Sequence, residues 1–249
     1  MSEKRLDRLS ELIKQQGSMS VQELMDYFQV SDMTIRRDLQ KLEQTGKFQR
    51  FHGGIRFVDE THLDKREACQ QEEKMRIARY CLTQLQPRDT IILDSGTTTI
   101  QIATAIAESD IRDITVITNS LAAAHRLRNA EHISLIVSGG ELRHSSQSFV
   151  GSTCRSFFEN IYVNKAFIAT GGITEKGFST ANFAEAEIKL CMAKASARTY
   201  FVADSTKFGQ RSLNFFAPLE AANVLVTDDG VPEEWDALCA QHQIELVKV

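Results

Sequence analysis

The segment from Ser20 to Gly54 constrains the fold more than any other, because it carries two helical patterns joined by a very short connection. The first pattern is one apolar helix face with the spacing i, i+3, i+4, i+7, formed by Val21, Leu24, Met25 and Phe28. In the second, Ile35, Leu39 and Leu42 repeat at i, i+4, i+7. Ser31 is suited to cap the start of this second helix, and Gly46 to end it. The pattern predicts two helices packed across a sharp turn.

The inward stripe of the second helix decides which side chains face outward. They are Met33, Thr34, Arg36, Arg37, Gln40 and Lys41, with Ser31 at the helix start. A helix over 31–44 is roughly 20 Å long, and it fits a DNA major groove about 12 Å wide. Guanidinium groups present a rigid fork of donors to phosphate oxygens or guanine edges. We therefore expect this helix to contact DNA.

A hairpin is predicted directly after that helix. The segment Phe48–His52 alternates before Gly53 and Gly54, which is typical of two short strands carrying Arg50 and His52. The alternative is a small helical domain whose charged face is simply solvated. The distribution of charge helps to decide between these two interpretations. Residues 33–58 hold six Lys or Arg and two acidic residues, whereas residues 59–249 hold 19 Lys or Arg and 25 acidic residues. One basic face on an acidic body suits a site-specific DNA reader.

Cysteine use and hydropathy exclude several classes of protein. The five cysteines are scattered and contain no C-x-x-C pair, and the six histidines show no metal-ligand spacing. We therefore expect neither a disulfide framework nor a metal site, and no cofactor. The N-terminus has no apolar signal region, and no apolar run approaches the roughly 18 residues of a membrane span. The sequence predicts a cytoplasmic protein with no membrane partner.

The rest of the chain predicts a second, larger domain of the α/β class. We place an N-terminal winged helix-turn-helix domain at 1–58, a polar linker of helical character at 59–73, and a mostly parallel α/β sensor domain at 74–249. The first domain begins with an amphipathic helix over 2–16 that ends at Gly17. In the second, a helix over 74–85 precedes short apolar runs that alternate with helical segments, which is typical of strands covered on both faces. The predicted strands are 90–93, 115–118, 133–137, 166–169, 200–203, 224–227 and 244–247, and the helices between them are 98–107, 120–128, 152–160, 184–197 and 233–241.

Small polar residues follow five of these strands. Ligands in open α/β sheets bind beyond the carboxyl ends of the strands, so these segments are candidates for one site. The most specific of them is Asp94-Ser95-Gly96-Thr97-Thr98, which follows a strand and opens a helix. Hydroxyls and free N–H groups at a helix start bind an anion such as phosphate, and Gly96 would let a ligand come close. No P-loop lysine and no G-x-G-x-x-G is present, so a phosphorylated metabolite is favoured over a nucleotide.

Both domains resemble the DeoR family of bacterial transcription repressors. In the first, the matching residues include Val30-Ser31, Thr34 to Leu39, Gly46, Arg50 and His52-Gly53-Gly54; in the second they include Asp94 to Thr98, Asn119, Gly139-Gly140, Glu185 and Asp204 to Phe208. The sensor domain of that family is similar in fold to ribose-5-phosphate isomerase. The resemblance implies a phosphorylated sugar as effector, with the phosphate on the loop from Ser95 to Thr98.

The same resemblance implies the remaining effector contacts. Asn119, Gly139, Gly140, Asn182, Glu185 and Lys207 would face the sugar. Two of these have simpler alternatives: Asn182 and Glu185 stand where a helix cap and a dipole-stabilising acid belong. Lys207 has one as well, a surface ion pair with Asp204.

Three functions are compatible with these features. The leading one is a ligand-controlled repressor that binds double-stranded operator DNA as a homo-oligomer, a dimer or a tetramer, and has no catalytic residues. A sugar-phosphate isomerase with an accessory head is the second, with Glu185 and Lys207 as nominal catalytic groups. Threonines stand where the isomerase loop carries a second acid, which argues against catalysis. The third, a constitutive architectural DNA-binding protein, gives the polar strand ends no purpose.

Overall fold

A computed structural model describes residues 2–16, 18–44, 48–51, 53–57 and 63–249. The chain forms two compact units, Met1–Thr61 and His62–Val249. Gly17 and Gly46, expected to end two helices, and His52, expected to contact DNA from the wing, lie outside the described residues. In the described part of the chain, no helix is both long and apolar enough to cross a membrane.

The first unit is a three-helix head with a small antiparallel sheet. Its elements are α1 Ser2–Gln16, β1 Ser18–Ser20, α2 Val21–Phe28, α3 Asp32–Gln44, β2 Phe48–Phe51 and β3 Gly54–Phe57. The strand order is β1-β3-β2. The predicted stripes meet in one core, in which Leu9, Ile13, Leu24, Ile35 and Leu39 are completely buried. The helix-turn-helix and the hairpin are thus confirmed, and β1 adds a third strand.

Local capping explains where the second and third helices begin. The Ser20 hydroxyl accepts a hydrogen bond from the Glu23 N–H at 3.1 Å, and the Glu23 carboxylate accepts from the Ser20 N–H at 2.7 Å, a reciprocal capping box. Gln29 then adopts a left-handed conformation, φ +51°, which turns the chain sharply. The Ser31 carbonyl accepts from the N–H groups of Thr34 and Ile35, as expected of the residue that precedes a helix.

The second unit alternates strands and helices. Its main-sheet strands are β4 Thr90–Leu93, β5 Thr115–Thr118, β6 Ser134–Val137, β9 Val163–Ala169, β12 Ser196–Val202, β14 Val224–Thr227 and β15 Glu245–Lys248. Its helices are α4 Leu63–Ala68, α5 Gln71–Thr83, α6 Thr97–Ala107, α7 Leu121–Leu127, α8 Gly151–Glu159, α9 Phe183–Lys194 and α10 Glu234–Gln241. The predicted linker 59–73 therefore contains α4 and the start of α5. A hairpin, β7 Glu141–Arg143 and β8 Ser148–Val150, and a small sheet of β10 Gly172–Thr174, β11 Gly177–Thr180 and β13 Asn214–Ala217 were not predicted.

The main sheet has seven parallel strands in the order β15-β14-β12-β9-β4-β5-β6. One apolar cluster packs α5, α6 and α7 on one face, and another packs α8, α9 and α10 on the other. From β4 the chain runs outward to β5 and β6, and then returns to β9 on the opposite side of β4. The order thus reverses between β4 and β9, where the carboxyl ends of a parallel sheet open into a crevice. The α/β class with an N-terminal helix-turn-helix is confirmed.

Candidate nucleic-acid and effector sites

The outward face of α3 has the composition that the sequence predicts. Ile35, Leu39 and Leu42 point into the head core. Ser31, Met33, Arg36, Arg37, Gln40 and Lys41 are exposed, and Thr34 is half-buried. The exposed fraction of Met33 is 81%, which is high for a large apolar side chain in an isolated domain. An apolar side chain among arginines at the start of a helix is suited to thymine methyl groups in the major groove.

The two arginines of this face differ in their surroundings. Arg36 Nε lies 2.6 Å from Asp32 Oδ1, in an i, i+4 pair in which both side chains are about half exposed. Arg37 makes no ion pair with any other described residue. Ion pairs at such exposure are worth at most about 1 kcal/mol, so DNA phosphate competes easily for Arg36. Arg37 brings to the groove a positive charge that no acid in the described part of the head offsets by direct contact.

Asp38 holds α3 against α1. Its side chain is completely buried, and Arg5 Nε and Nη2 each lie 2.7 Å from Asp38 Oδ2. The charges of α1 are mixed in sign, so the sequence favours a solvated Arg5 over a contact with DNA phosphate. The structure corrects this for Arg5, whose side chain is three-quarters buried and holds α3 in place through Asp38. The pairing is invisible in the sequence because its partners are 33 residues apart.

The wing pairs β2 with β3, with Arg50 opposite Ile55. Phe48 and Ile55 are buried in the head core, which anchors the hairpin beside α3. Arg50 is half-buried, and its backbone N–H donates to Glu43 Oε1 at 3.4 Å. Arg50 is therefore held next to the last turn of α3.

The loop after β4 lies at the switch point of the main sheet, which is the place between β4 and β9 where the strand order reverses. Gly96 stands directly before α6, and no side chain caps that helix, so the N–H groups of its first turn remain open to an anion. Thr98 is buried and Thr97 half-buried, and neither hydroxyl has a hydrogen bond within the described ranges. Thr99, by contrast, donates to the carbonyl oxygens of Asp94 at 2.6 Å and Gly96 at 2.9 Å, which shapes the loop.

Gly96 is required by packing within the protein. A Cβ atom at this position would lie 2.3 Å from the Cβ of Ala169 on the neighbouring strand β9. The sequence favours close approach of a ligand as the reason for this glycine, but the close approach that the structure shows is to Ala169. A substitution at Gly96 would therefore disturb strand packing as well as any ligand, so it cannot test the anion site cleanly.

Asp94 and Lys189 form a buried ion pair beneath this loop. The Asp94 carboxylate contacts Lys189 Nζ and also accepts from the Ala169 N–H at 3.1 Å. Lys189 Nζ donates in addition to the Ala169 carbonyl at 2.9 Å. Burial raises the pKa of the Asp94 carboxyl, and the Lys189 charge opposes that rise. Asp94, predicted as an effector contact, is fully buried and ties β4, β9 and α9 together.

The residues at the start of α9 have structural partners. Asn182 caps the helix, with its side-chain oxygen accepting from the N–H groups of Ala184 at 2.9 Å and Glu185 at 3.3 Å. Glu185 Oε1 lies 3.2 Å from Arg143 Nε and accepts from the Ser148 hydroxyl at 3.3 Å. The capping role considered for Asn182 is thus present in the structure. Arg143, which sequence reasoning missed, joins the β7–β8 hairpin to α9.

The other predicted effector contacts lie at neighbouring strand ends. Asn119 is buried; its Nδ2 donates to the Phe149 carbonyl at 3.0 Å, and its Oδ1 has no hydrogen-bond partner within the described part. Gly139 and Gly140 have φ angles of +67° and +119° and lead from β6 into the hairpin. A Cβ on Gly140 would lie 2.6 Å from the Val150 carbonyl oxygen, so the hairpin packs directly on that glycine.

Lys207 is separate from this group. It ends a 3-10 turn, Ser205–Lys207, after β12. The Asp204 carboxylate accepts from the Thr206 N–H at 3.2 Å and makes no ion pair with Lys207 within the described part of the chain. The contacts described above therefore connect the β4–α6 loop, α9 and the hairpin into one network that does not include Lys207.

Comparison with known proteins identifies both units. The model of the DeoR-like helix-turn-helix domain matches residues 5–61, and that of the DeoR C-terminal sensor domain matches 69–229. The transcriptional regulator IolR of Bacillus subtilis is 32% identical, with 96% of each chain covered. A putative aga operon transcriptional repressor of Escherichia coli O157:H7 is 32% identical over 92% of this chain and 87% of its own. The lactose phosphotransferase system repressor of Lactococcus lactis is 30% identical over 92% and 91%.

Among solved structures, a D-ribose-5-phosphate isomerase in complex with phospho-erythronic acid matches at 15% identity, with a TM-score of 0.41, over 55% of this chain and 54% of its own. A similarity of that level supports no inference about activity. The two domain models and the near full-length relatives, by contrast, cover both units described above. This chain belongs to the DeoR family of DNA-binding transcriptional regulators.

Proposed function

We propose that the protein represses a carbohydrate-metabolism operon by binding its operator through α3 and the wing, and that a phosphorylated sugar releases it. The proposal rests on two features of one chain. The first unit has a basic, exposed α3, and the second has an uncapped helix start where the strand order of a parallel sheet reverses. The three relatives described above carry names of regulators, two of them repressors of aga and lactose systems. Such a protein acts where the DNA is, which is the cytoplasm in bacteria, and requires no cofactor or catalytic residue.

Effector binding and operator binding are coupled if the effector has different affinities for two states of the protein. The effector releases DNA only if it binds better to a state of the homo-oligomer that presents the heads unfavourably. Operator DNA must then weaken effector binding by the same factor, and a typical coupling is about 1–3 kcal/mol. Two heads in one oligomer would read half-sites separated by whole turns of the DNA.

A release experiment tests the proposal directly. The unmodified protein first selects its operator duplex from a random-sequence pool, and the complex is then titrated with a panel of phosphorylated sugars. We expect at least one of them to weaken operator binding by about 5- to 150-fold and to raise the melting temperature of the free protein. The matching unphosphorylated sugars are the control. A protein that no phosphorylated sugar stabilises or releases would contradict the proposal.

Operator affinity should fall steeply with salt. Each phosphate neutralised by a lysine or arginine contributes about −0.9 to the slope of log K against log salt concentration. Arg37→Ala should reduce the magnitude of that slope by about one per protomer, because the Arg37 charge is not engaged in an ion pair within the described part of the head. Fluorescence anisotropy at several potassium chloride concentrations measures this. A slope near zero for the unmodified protein would exclude the proposed helix contact.

The loop from Ser95 to Thr98, here named the phosphate loop, carries the open hydroxyls of Thr97 and Thr98, which supply a test of the effector site. Replacing Thr97 and Thr98 together by valine should weaken sugar-phosphate binding by about tenfold, the loss expected for a charge-assisted hydrogen bond. Operator affinity should not change. Thr104→Val on the same helix is the matched control, because that hydroxyl donates to the Ile100 carbonyl about two turns further along. Unaltered induction in the Thr97/Thr98 variant would remove the loop from the site.

A further inference from the structure

Arg143 and Glu185 form a largely buried ion pair beside the phosphate loop. Arg143 Nε lies 3.2 Å from Glu185 Oε1, and the two side chains are 19% and 12% exposed. Arg143 ends β7, the first strand of the hairpin, and Glu185 lies in the first turn of α9. The pair therefore joins the hairpin to α9 across 42 positions of the sequence.

The Arg143–Glu185 pair lies among polar side chains, one of which lacks a hydrogen-bond donor within the described ranges. Glu185 also accepts from the Ser148 hydroxyl, which is completely buried and lies 2.8 Å from the Ser146 hydroxyl. The buried Asn119 amide, on the loop that bonds to Phe149 of the hairpin, leaves its Oδ1 without a donor within the described ranges. A carbonyl oxygen that is buried without a donor costs free energy unless a ligand hydroxyl or water donates to it.

The positive charges near the loop are not equivalent. Lys189 is 4% exposed and contacts both Asp94 and the Ala169 carbonyl, so its charge is committed to the buried pair. Arg143 is more exposed, and its partner Glu185 sits one helical turn before Lys189. A guanidinium presents two parallel donors to phosphate, which carries more charge than a carboxylate, so a phosphate can replace Glu185 on Arg143.

We propose that Arg143 binds the anionic group of the effector, a phosphate monoester, and that Glu185 occupies the guanidinium until the effector arrives. This inference rests on the proposed function, because it names the cation for the same site. The exchange would free Glu185 from the hairpin, and the buried Asn119 oxygen would receive a sugar hydroxyl. Glu185 thereby acts as a built-in competitor that sets the effector concentration needed for binding.

The test uses inorganic phosphate as the probe and the full chain as the protein. Phosphate affinity is measured by thermal shift and by calorimetric titration at constant ionic strength. Arg143→Gln should weaken phosphate binding by about tenfold, and Glu185→Gln should strengthen it by about tenfold, since one member of a charged pair typically contributes on that scale. Arg143→Lys, which keeps the charge and loses the fork, should fall between Arg143→Gln and the unmodified protein.

Two further variants distinguish direct binding to Arg143 from a change in charge alone. Glu187→Gln removes the same charge two residues along α9, where Glu187 pairs with Arg155 on the surface, and it should leave phosphate affinity unchanged. The double variant Arg143→Gln/Glu185→Gln should lose the gain of Glu185→Gln, because no guanidinium is left to bind. A double variant that kept the gain would show that Glu185 only repels the anion, and would overturn the proposal.

Opposite effects of Arg143→Gln and Glu185→Gln on phosphate affinity would also exclude a merely structural role for the pair. If the pair served stability alone, both single variants would melt at a lower temperature and neither would bind phosphate more tightly than the unmodified protein. That result would overturn the proposal while leaving the repressor function intact. Failure of every phosphorylated sugar to release the operator would instead remove the proposed function, and the comparison of phosphate affinities would still stand.

Discussion

Replacing Arg36 and Arg37 together by alanine should lower operator affinity by at least about 30-fold, since each arginine that contacts a base edge contributes about 1–3 kcal/mol. Both side chains lie on the exposed face of α3, opposite the buried Ile35 and Leu39. Neither packs into the head core, so the fold of the head should survive. Fluorescence anisotropy with the selected operator duplex measures the loss.

The single variants should differ because the two arginines have different partners. Arg36 must give up its contact with Asp32 to reach DNA, whereas Arg37 has no acidic partner among the described residues. We therefore expect Arg37→Ala to cost more than Arg36→Ala. The double variant Arg76→Ala/Arg155→Ala in the second unit removes the same charge and should leave operator binding within about twofold of the unmodified protein, since distant charges are screened. Operator binding that survived Arg36→Ala/Arg37→Ala would show that α3 is not the reading helix.

Lys189→Met should destabilise the second unit by about 3–5 kcal/mol, the loss expected when one partner of a buried ion pair is removed. The variant leaves the Asp94 carboxylate fully buried among β4, β9 and α9 with no counter-charge. Urea unfolding of the full chain, followed by circular dichroism, measures the change. Lys248→Met removes a lysine that pairs with the exposed Asp236 and should cost at most about 1 kcal/mol.

The loss in Lys189→Met should depend on pH. Burial raises the pKa of the Asp94 carboxyl, and removing Lys189 removes the charge that opposes this rise. A carboxyl whose pKa is raised in the folded state binds more protons folded than unfolded, so stability increases as pH falls through that raised pKa. The deficit against the unmodified protein should therefore shrink as the pH is lowered from neutral towards the ordinary aspartate pKa of about 4.

A double variant identifies the buried charge as the cause. In Asp94→Asn/Lys189→Met the side-chain oxygen can still accept from the Ala169 N–H, but no charge remains. We expect this variant to recover most of the lost stability and to show little dependence on pH. A double variant as unstable as Lys189→Met would mean that lost packing around the methylene groups of Lys189, rather than the charge of Asp94, causes the effect.

The regular elements were predictable from the sequence because their periods are local. Strands β4, β5 and β14 coincide with the predicted ranges, and α1 and α2 follow from stripes such as Leu9 with Ile13 and Val21 with Leu24. The hairpin β7–β8 was missed because its strands are three residues long and contain Ser148 and Arg143, which break the apolar pattern. Short strands of that kind form through pairing partners that a sequence window does not reveal.

The sequence by itself determined the two-domain organisation, the basic face of α3 and the polar residues that follow the parallel strands. These features depend on spacing within about ten residues, which periodicity and capping report. Only the tertiary structure decided that β9 lies beside β4, so that Gly96 packs on Ala169 and Lys189 reaches Asp94 from 95 positions away. It also decided that Arg5 binds Asp38 and that Arg143 binds Glu185. Such pairings result from the folding together of distant segments, whose relative order in the sheet is set by packing on both faces and by no local pattern.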